Sequence, residues 1–295
     1  MQQLDLFADS VPVQRANALI AALSRFDRAA SRQALQRLVA ADSQHAGLPH
    51  FRVLCEFVDH WPGRCDDMDC PYPQPEIAAA EQWIRERVMP AATIMGDAGG
   101  ALVRKSWSIL AKASEAARIG PEHRDCFAAE FYLRAQQFPD VVRTARGIPG
   151  AAMRATAQRW LGLGYYGCGE AEQARTAALR YAWLAPQGFN VFVGEMRDAM
   201  LARDWRSFQA DLGDLDAAWF PAWCVQEKKA GSTLLDNLPP GEGPTAYRLV
   251  AGLLIRERGG LCRALYEDRA RLKRLNESFF AFYMKCRSNP HPQQR

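Results

Sequence analysis

The chain has 295 residues, of which 37 are lysine or arginine and 33 are aspartate or glutamate, giving a formal net charge of +4. Apolar residues make up 48% and charged residues 24%, which is typical of a folded globular protein and excludes a disordered or collagen-like chain. No apolar run reaches the roughly 18–20 residues that span a bilayer, and the first ten residues lack the basic head and cleavage site of a secretory signal. We therefore expect a cytoplasmic protein whose eight cysteines are thiols.

Apolar residues recur every three or four positions in successive segments, which predicts amphipathic helices. The first three segments span 18–26, 31–41 and 50–61. A loop is expected over 64–74, followed by a helix over 75–88 that ends before Pro90. The glycines of 96–100 predict a turn before a helix over 102–119. Because no segment alternates β-branched and polar residues as a strand does, the expected fold class is all-α.

Residues 155–186 have the spacing of a helical repeat. The residues that carry the pattern are Leu161, Gly162, Tyr165, Tyr166, Gly169, Ala174, Ala178 and Pro186. This segment resembles a tetratricopeptide repeat, in which two antiparallel helices form a hairpin. Small residues at 162 and 174 let the two helices approach closely. Gly169 supplies the left-handed cap that ends the first helix, and Pro186 blocks extension of the second.

The neighbouring segments match the repeat more weakly. A period of about 34 residues places the next turn at 203–205, and the preceding turn at 138–140. Since an array of this kind needs about three units, we expect degenerate helix pairs over 19–41 and 247–275 to extend it. The predicted architecture is a right-handed stack of antiparallel helix pairs, an α-solenoid. The alternative is an irregular helical bundle in which one hairpin resembles a repeat.

The prolines and glycines of 239–244 predict a loop near the end of the chain. The expected organisation is therefore a flexible tail over 1–10, a helical repeat-like domain over 11–238 and a C-terminal helical unit over 239–295. We expect this last unit to pack on the same stack.

Near its start the chain contains Gln3-Leu4-Asp5-Leu6-Phe7. This pentapeptide resembles the one by which bacterial polymerases, mismatch-repair and initiation-control proteins dock on the replication sliding clamp. The resemblance implies that Gln3 orients the peptide at the rim of a small pocket. It also implies that Leu4 is the first apolar anchor and that Leu6 and Phe7 are the main ones. The alternative is that these apolar side chains pack on the protein's own first helices.

A histidine or a cysteine stands at every fifth position over 50–70. Five steps rotate a helix by about 140°, so His50, Cys55 and His60 cannot share one helical face. Cys65 and Cys70 have four residues between them, which is an allowed zinc-ligand spacing. His60, or one of Asp66, Asp67 and Asp69, could complete a site. Since no second close cysteine pair follows, the simpler expectation is an ordinary loop with reduced thiols and no cofactor.

The segment 256–287 has more basic than acidic residues. The candidate nucleic-acid contacts are Arg263, Arg269, Arg271, Lys273 and Arg274. They precede four aromatic residues over 279–283, so phosphate contact with base stacking is one interpretation. The simpler interpretation is a solvated helix face whose aromatic residues belong to the core.

No nucleophile elbow, phosphate-binding glycine loop or HExxH motif occurs in the sequence, so we do not expect an enzyme. The first hypothesis is an adaptor in DNA replication or repair that docks on the bacterial sliding clamp and binds a second protein partner on its helical scaffold. The second is a helical-repeat scaffold or chaperone unrelated to replication. The third is a zinc-dependent enzyme that uses residues 55–70.

Overall fold

The computed structural model of the protein describes residues 10–60, 73–123, 125, 127–229, 237–258 and 263–288. Within these ranges every regular element is a helix, which confirms the predicted all-α class. The chain divides into two compact units, Met1–Val141 and Val142–Arg295. The boundaries expected after residues 10 and 238 stay predictions.

The described residues of the first unit form a series of helices. These helices are α1 (Val11–Arg25), α2 (Arg28–Ala41), α3 (Leu48–His60), α4 (Gln74–Trp83), α5 (Met89–Ala92), α6 (Asp97–Ala116) and α7 (Ala128–Arg134). Helix α1 packs against α2 as a hairpin, and both α5 and α7 pack against α6. The turn of the hairpin is closed by Phe26, whose φ is +60°, and by Asp27, whose carboxylate accepts a 2.9 Å hydrogen bond from the Ala30 N–H.

The helix expected to stop before Pro90 continues through it. A π-helical turn, Ile84–Val88, follows α4, and α5 begins directly after it. The Met89 N–H bonds to the Ile84 carbonyl, five residues back. This wider turn accommodates the proline, which in a regular α-helix would clash with the carbonyl four residues before it.

The turn predicted over 96–100 is confined to Gly96, whose φ is +58°. Helix α6 begins at Asp97, so Gly99 and Gly100 lie in its first turn. A Cβ at position 99 would be 1.9 Å from the carbonyl oxygen of Ala92. The absence of a side chain at Gly99 therefore permits a close approach of two backbones rather than a turn.

Helix α8 (Phe138–Arg146) crosses the division between the units, and the helices after it belong to the second unit. These are α9 (Ala155–Gly167), α10 (Ala171–Leu184), α11 (Phe189–Met196), α12 (Ala199–Leu212), α13 (Phe220–Gln226), α14 (Glu242–Arg258), α15 (Arg263–Leu275) and α16 (Glu277–Ser288). Helix α9 packs on α10 and α11, α10 on α13, and α12 on α13 and α16. The last three helices pack in sequence, with α14 also against α13.

The predicted hairpin over 155–186 is present as α9 and α10. Gly169 has a φ of +78° in the turn between them, as expected for the cap that ends the first helix. The role of Gly162 differs from the prediction. A Cβ there would lie 2.8 Å from Cζ of Phe192 in α11, whereas the nearest atom of α10, the Ala174 carbonyl oxygen, would be 3.8 Å away. The absence of a side chain at Gly162 therefore accommodates Phe192 of α11 more than it does the packing of α9 on α10.

Both extrapolated turns are wrong. Residues 203–205 lie inside α12, and the turn before that helix is formed by Arg197, whose φ is +55°, and by the N-cap Asp198. Residues 138–140 open α8, and the turn lies earlier, at Gln136 with a φ of +60°. Helix length explains the first of these differences: α11 has 8 residues where α9 has 13, so the turn after α11 comes early.

Aromatic side chains form the core of the second unit. The cluster contains Phe189, Trp205, Phe208, Phe220 and Trp223, with neighbouring ring centroids 5.0–6.1 Å apart. It joins α11, α12 and α13 through edge-on and stacked contacts. Among the helices in the described ranges, none is both long and apolar enough to cross a membrane.

Candidate functional site: an arginine-lined groove at the α9–α10 hairpin

Most of the residues predicted to bind a clamp or a metal lie outside the described residues. These are Gln3, Leu4, Asp5, Leu6, Phe7, Cys65 and Cys70. His60 is described and is exposed at the end of α3, where its Nδ1 lies 2.8 Å from the Glu56 carbonyl oxygen. Within the described ranges, no group of three histidine, cysteine, aspartate or glutamate side chains is close enough to hold a metal ion.

The predicted basic residues of α15 do not form one free cationic surface. Arg269 is largely covered, with its Nη2 2.9 Å from Glu257 and its Nε 3.3 Å from the Tyr283 hydroxyl. This residue therefore ties α15 to α14 and α16. The simpler interpretation of the aromatic segment is supported at Phe279 and Tyr283, which are fully buried.

The other predicted cations of α15 lie at the surface beside neighbouring acidic or backbone groups. Arg263 is 2.9 Å from Glu267, Arg271 is 3.6 Å from Asp268, Lys273 is 3.7 Å from Glu277, and Arg274 Nε is 3.4 Å from the Ala270 carbonyl oxygen. Such exposed pairs contribute little stability, and their carboxylates reduce the local positive charge. DNA contact through these residues stays a prediction.

The second unit contains a groove of about 560 Å³ beside α9 and α10, here called the arginine groove. Three of its lining residues are arginines, Arg146 from α8 and Arg175 and Arg180 from α10, whereas among the described residues Glu172 is the one acidic residue of the lining. Its remaining lining includes Gln158, Leu161, Tyr165, Thr176, Leu179 and Tyr247. The groove therefore combines an excess of positive charge with an apolar floor.

Arg146 is held at the rim of this groove by one aromatic residue. Its Nε donates a 2.6 Å hydrogen bond to the Tyr165 hydroxyl, and its guanidinium carbon lies 5.3 Å from the ring centroid. Tyr165 is itself buried, so it is a fixed support for the exposed arginine. The two terminal nitrogens of Arg146 have no hydrogen-bond partner in the part of the chain that the structure describes. They are available to a ligand.

Arg175 connects the groove to the core. Its Nη2 donates a 2.8 Å hydrogen bond to the carboxylate of Asp204, a buried residue of α12. The Nε of Arg175 is buried and has no hydrogen-bond partner among the described residues. Lys229 completes the cluster, with its Nζ 3.1 Å from the second carboxylate oxygen of Asp204 and 4.5 Å from the Trp223 ring centroid.

The electrostatics of this cluster have opposing causes. Burial alone would raise the pKa of Asp204, but the hydrogen bond from Arg175 and the nearby ammonium group of Lys229 outweigh it, and the pKa is lowered. Cys224 lies 4.0 Å from Arg175, and burial raises the pKa of its thiol to about 12. The carboxylate is thus charged and the thiol neutral near pH 7. This network positions Arg175 at the groove and does not resemble a nucleophilic centre.

Sequence reasoning did not identify the groove or its support. Asp204 stands between the core residues Leu201 and Trp205, and an acidic residue within an apolar helical pattern is the signal that could have indicated a buried ion pair. Because the repeat period predicts a turn over 203–205, it does not place Asp204 in a helix and does not predict this ion pair.

Comparison of the chain with models of protein families, with characterised proteins and with solved structures gave no match. The site is therefore interpreted from its own residues. Three chemical features define it: an apolar floor, an excess of arginine and an unpaired guanidinium edge at its rim.

Proposed function

We propose that this protein is an adaptor that docks on the bacterial replication sliding clamp through residues 3–7 and holds a second protein on its helical scaffold, in DNA replication or repair. The observation that carries the proposal is the pentapeptide itself. Clamp-binding peptides of this kind resemble one another in a glutamine, a leucine and a final leucine–phenylalanine pair. The same residue types occur here at the same spacing, as Gln3, Leu4, Leu6 and Phe7. In this proposal the protein has no catalytic step of its own.

The affinity expected for such a peptide is moderate. Each large apolar side chain contributes about 1.5–3 kcal/mol when it is fully buried, and Leu4, Leu6 and Phe7 are three of them. Ordering a short peptide offsets part of this gain, so a dissociation constant in the micromolar range is expected. An affinity of this kind suits an adaptor that must exchange on a shared clamp.

The proposed scaffold is a right-handed stack of antiparallel helix pairs. Support comes from α9–α10 and α11–α12, two consecutive hairpins whose turns each contain one left-handed residue, Gly169 and Arg197. Helix α9 packs on α11, so the first helices of the two pairs are neighbours. Because each hairpin buries only one face against the next, such arrays leave extended surfaces for a partner.

The proposal is tested by titrating the full-length chain with a bacterial sliding clamp and measuring binding by isothermal calorimetry. The wild type is expected to bind with micromolar affinity. Leu6→Ala and Phe7→Ala are each expected to weaken binding at least about tenfold, since each removes buried apolar area. Gln2→Ala, directly outside the pentapeptide, is the matched control and should bind as the wild type does. No binding by the wild type, or equal binding by all variants, would reject clamp docking.

The second hypothesis, a scaffold or chaperone unrelated to replication, is separated by the same titration. It predicts no clamp binding although the helical fold is intact, which circular dichroism of the same samples verifies. The third, a zinc-dependent enzyme using residues 55–70, predicts about one zinc ion per purified chain, a stoichiometry that metal analysis measures.

A further inference from the structure

We propose that the arginine groove binds an acidic peptide segment of the second protein partner. The inference rests on the scaffold part of the proposed function and is independent of residues 3–7. Its first ground is charge: among the described residues, the groove is lined by three arginines, of which Arg175 is paired with the buried Asp204, and by one carboxylate, Glu172, and all of these lie in the second unit. A ligand that carries carboxylates is the complementary one.

The second ground is that two of the guanidinium groups, those of Arg146 and Arg175, are held in place and still have N–H groups without an acceptor among the described residues. Tyr165 holds Arg146 through its Nε and leaves both terminal nitrogens without a partner among the described residues. Asp204 holds Arg175 through Nη2, while the buried Nε of Arg175 has no acceptor in the described part of the chain. A carboxylate is the acceptor that two adjacent guanidinium N–H groups match best.

The third ground is the shape and apolar lining of the groove, which favour a peptide over a compact anion. Along α10 the lining extends from Glu172 to Arg180, about 12 Å at 1.5 Å per residue. That length accommodates about three to four residues of extended chain. Leu161, Leu179 and Tyr247 provide an apolar floor, on which the aliphatic parts of such a peptide can lie.

The test uses the full-length protein without any clamp and two fluorescein-labelled peptides, one of alternating glutamate and leucine and one of alternating glutamine and leucine. Fluorescence anisotropy is expected to show that the glutamate peptide binds with a dissociation constant of about 100 µM or lower. The glutamine peptide is expected to bind at least about tenfold more weakly. Added salt should weaken binding of the acidic peptide. Equal binding of the two peptides, or no binding of the acidic one, would overturn the proposal.

Variants distinguish the groove from general attraction to a basic protein. Arg146→Gln should weaken binding of the acidic peptide about tenfold. Arg206→Gln removes an exposed arginine of α12 whose one hydrogen bond among the described residues is to the Ala202 carbonyl of its own helix, and it should change binding less than about twofold. An equal loss in both variants would contradict a specific site. Glu172→Gln should tighten binding about threefold, a gain that a partly unfolded protein could not give.

A competition experiment separates the acidic peptide from a nucleic acid. Unlabelled oligothymidine is expected not to displace the labelled peptide at concentrations where the unlabelled peptide does. Displacement by the oligonucleotide that is lost in Arg146→Gln would assign the groove to phosphates and would overturn the peptide proposal. Because no clamp is present, failure of this assay leaves the clamp titration unaffected, and failure of the clamp titration leaves this assay unaffected.

Discussion

The Arg175 guanidinium and the Asp204 carboxylate form an ion pair of 2.8 Å that joins α10 to α12, one helix from each of two consecutive hairpins. Both side chains are largely removed from solvent, with exposures of 19% and 2%. Removal of Arg175 would leave the buried carboxylate of Asp204 with one hydrogen-bond donor fewer, although Lys229 would stay 3.1 Å from its other oxygen. The same pair holds Arg175 at the arginine groove, so stability and the proposed binding site depend on one contact.

Arg175→Gln is expected to lower the free energy of unfolding by about 1–3 kcal/mol, because the buried carboxylate of Asp204 loses its 2.8 Å donor while Lys229 stays 3.1 Å from its other oxygen. Urea unfolding followed by circular dichroism measures the change. Arg206→Gln, the exposed arginine of the neighbouring helix, should change stability by less than about 0.5 kcal/mol. Similar losses in the two variants would show that the ion pair does not stabilise the fold.

Asp204 also predicts how stability depends on pH. Its pKa is lowered from the ordinary value of 3.8 in the folded protein, so its stabilising contribution is present above that value and is lost as the pH falls through the folded-state pKa. Between about pH 5 and pH 2, the stability of the wild type should therefore fall more steeply than that of Asp204→Asn. Asp214→Asn, at an exposed position, should retain the wild-type slope. Parallel curves for Asp204→Asn and the wild type would contradict the lowered pKa.

Gly162→Ala tests the contact between α9 and α11. The added methyl would lie 2.8 Å from Phe192, which is held within the core by Tyr181 at a centroid distance of 4.7 Å. We expect a loss of about 1–2 kcal/mol in spite of the better helix propensity of alanine. Gly194→Ala, on the exposed side of α11 with nothing within 4 Å, should instead gain about 0.5–1 kcal/mol. Thermal unfolding of both variants is the measurement, and equal shifts would indicate that the helices are not in close contact at Gly162.

Gly99 and Gly100 form a second matched pair, at the start of α6. A methyl at position 99 would meet the Ala92 carbonyl oxygen at 1.9 Å, and a backbone atom cannot rotate away, so Gly99→Ala should cost about 3 kcal/mol. At position 100 the nearest atom is the terminal nitrogen of Arg104 at 3.4 Å, which can move. Gly100→Ala should leave stability unchanged or raise it by up to about 1 kcal/mol. If both variants unfold at the wild-type urea concentration, the turn predicted over 96–100 describes this segment better than the helix.

The α9–α10 hairpin and the turn after it show which features the residue types of one short segment predict and which they do not. Its two helices and the left-handed cap at Gly169 follow from residue types within one segment, because apolar spacing and the conformational freedom of glycine are local properties. The following turn does not follow, since it depends on how many residues α11 contributes before Arg197 ends it. The core decides that number by burying Phe189, Phe192 and Met196.

The sequence by itself determined the helical class, the positions of most helices and the pentapeptide at 3–7, since each depends on residues that are near one another along the chain. Only the tertiary structure decided that Arg146 and Arg175 line one groove and that Asp204 is buried beneath it, as these residues are 29 positions or more apart. The physical reason is that the packing of whole helices decides which side chains meet across an interface. No short segment of the sequence encodes that packing.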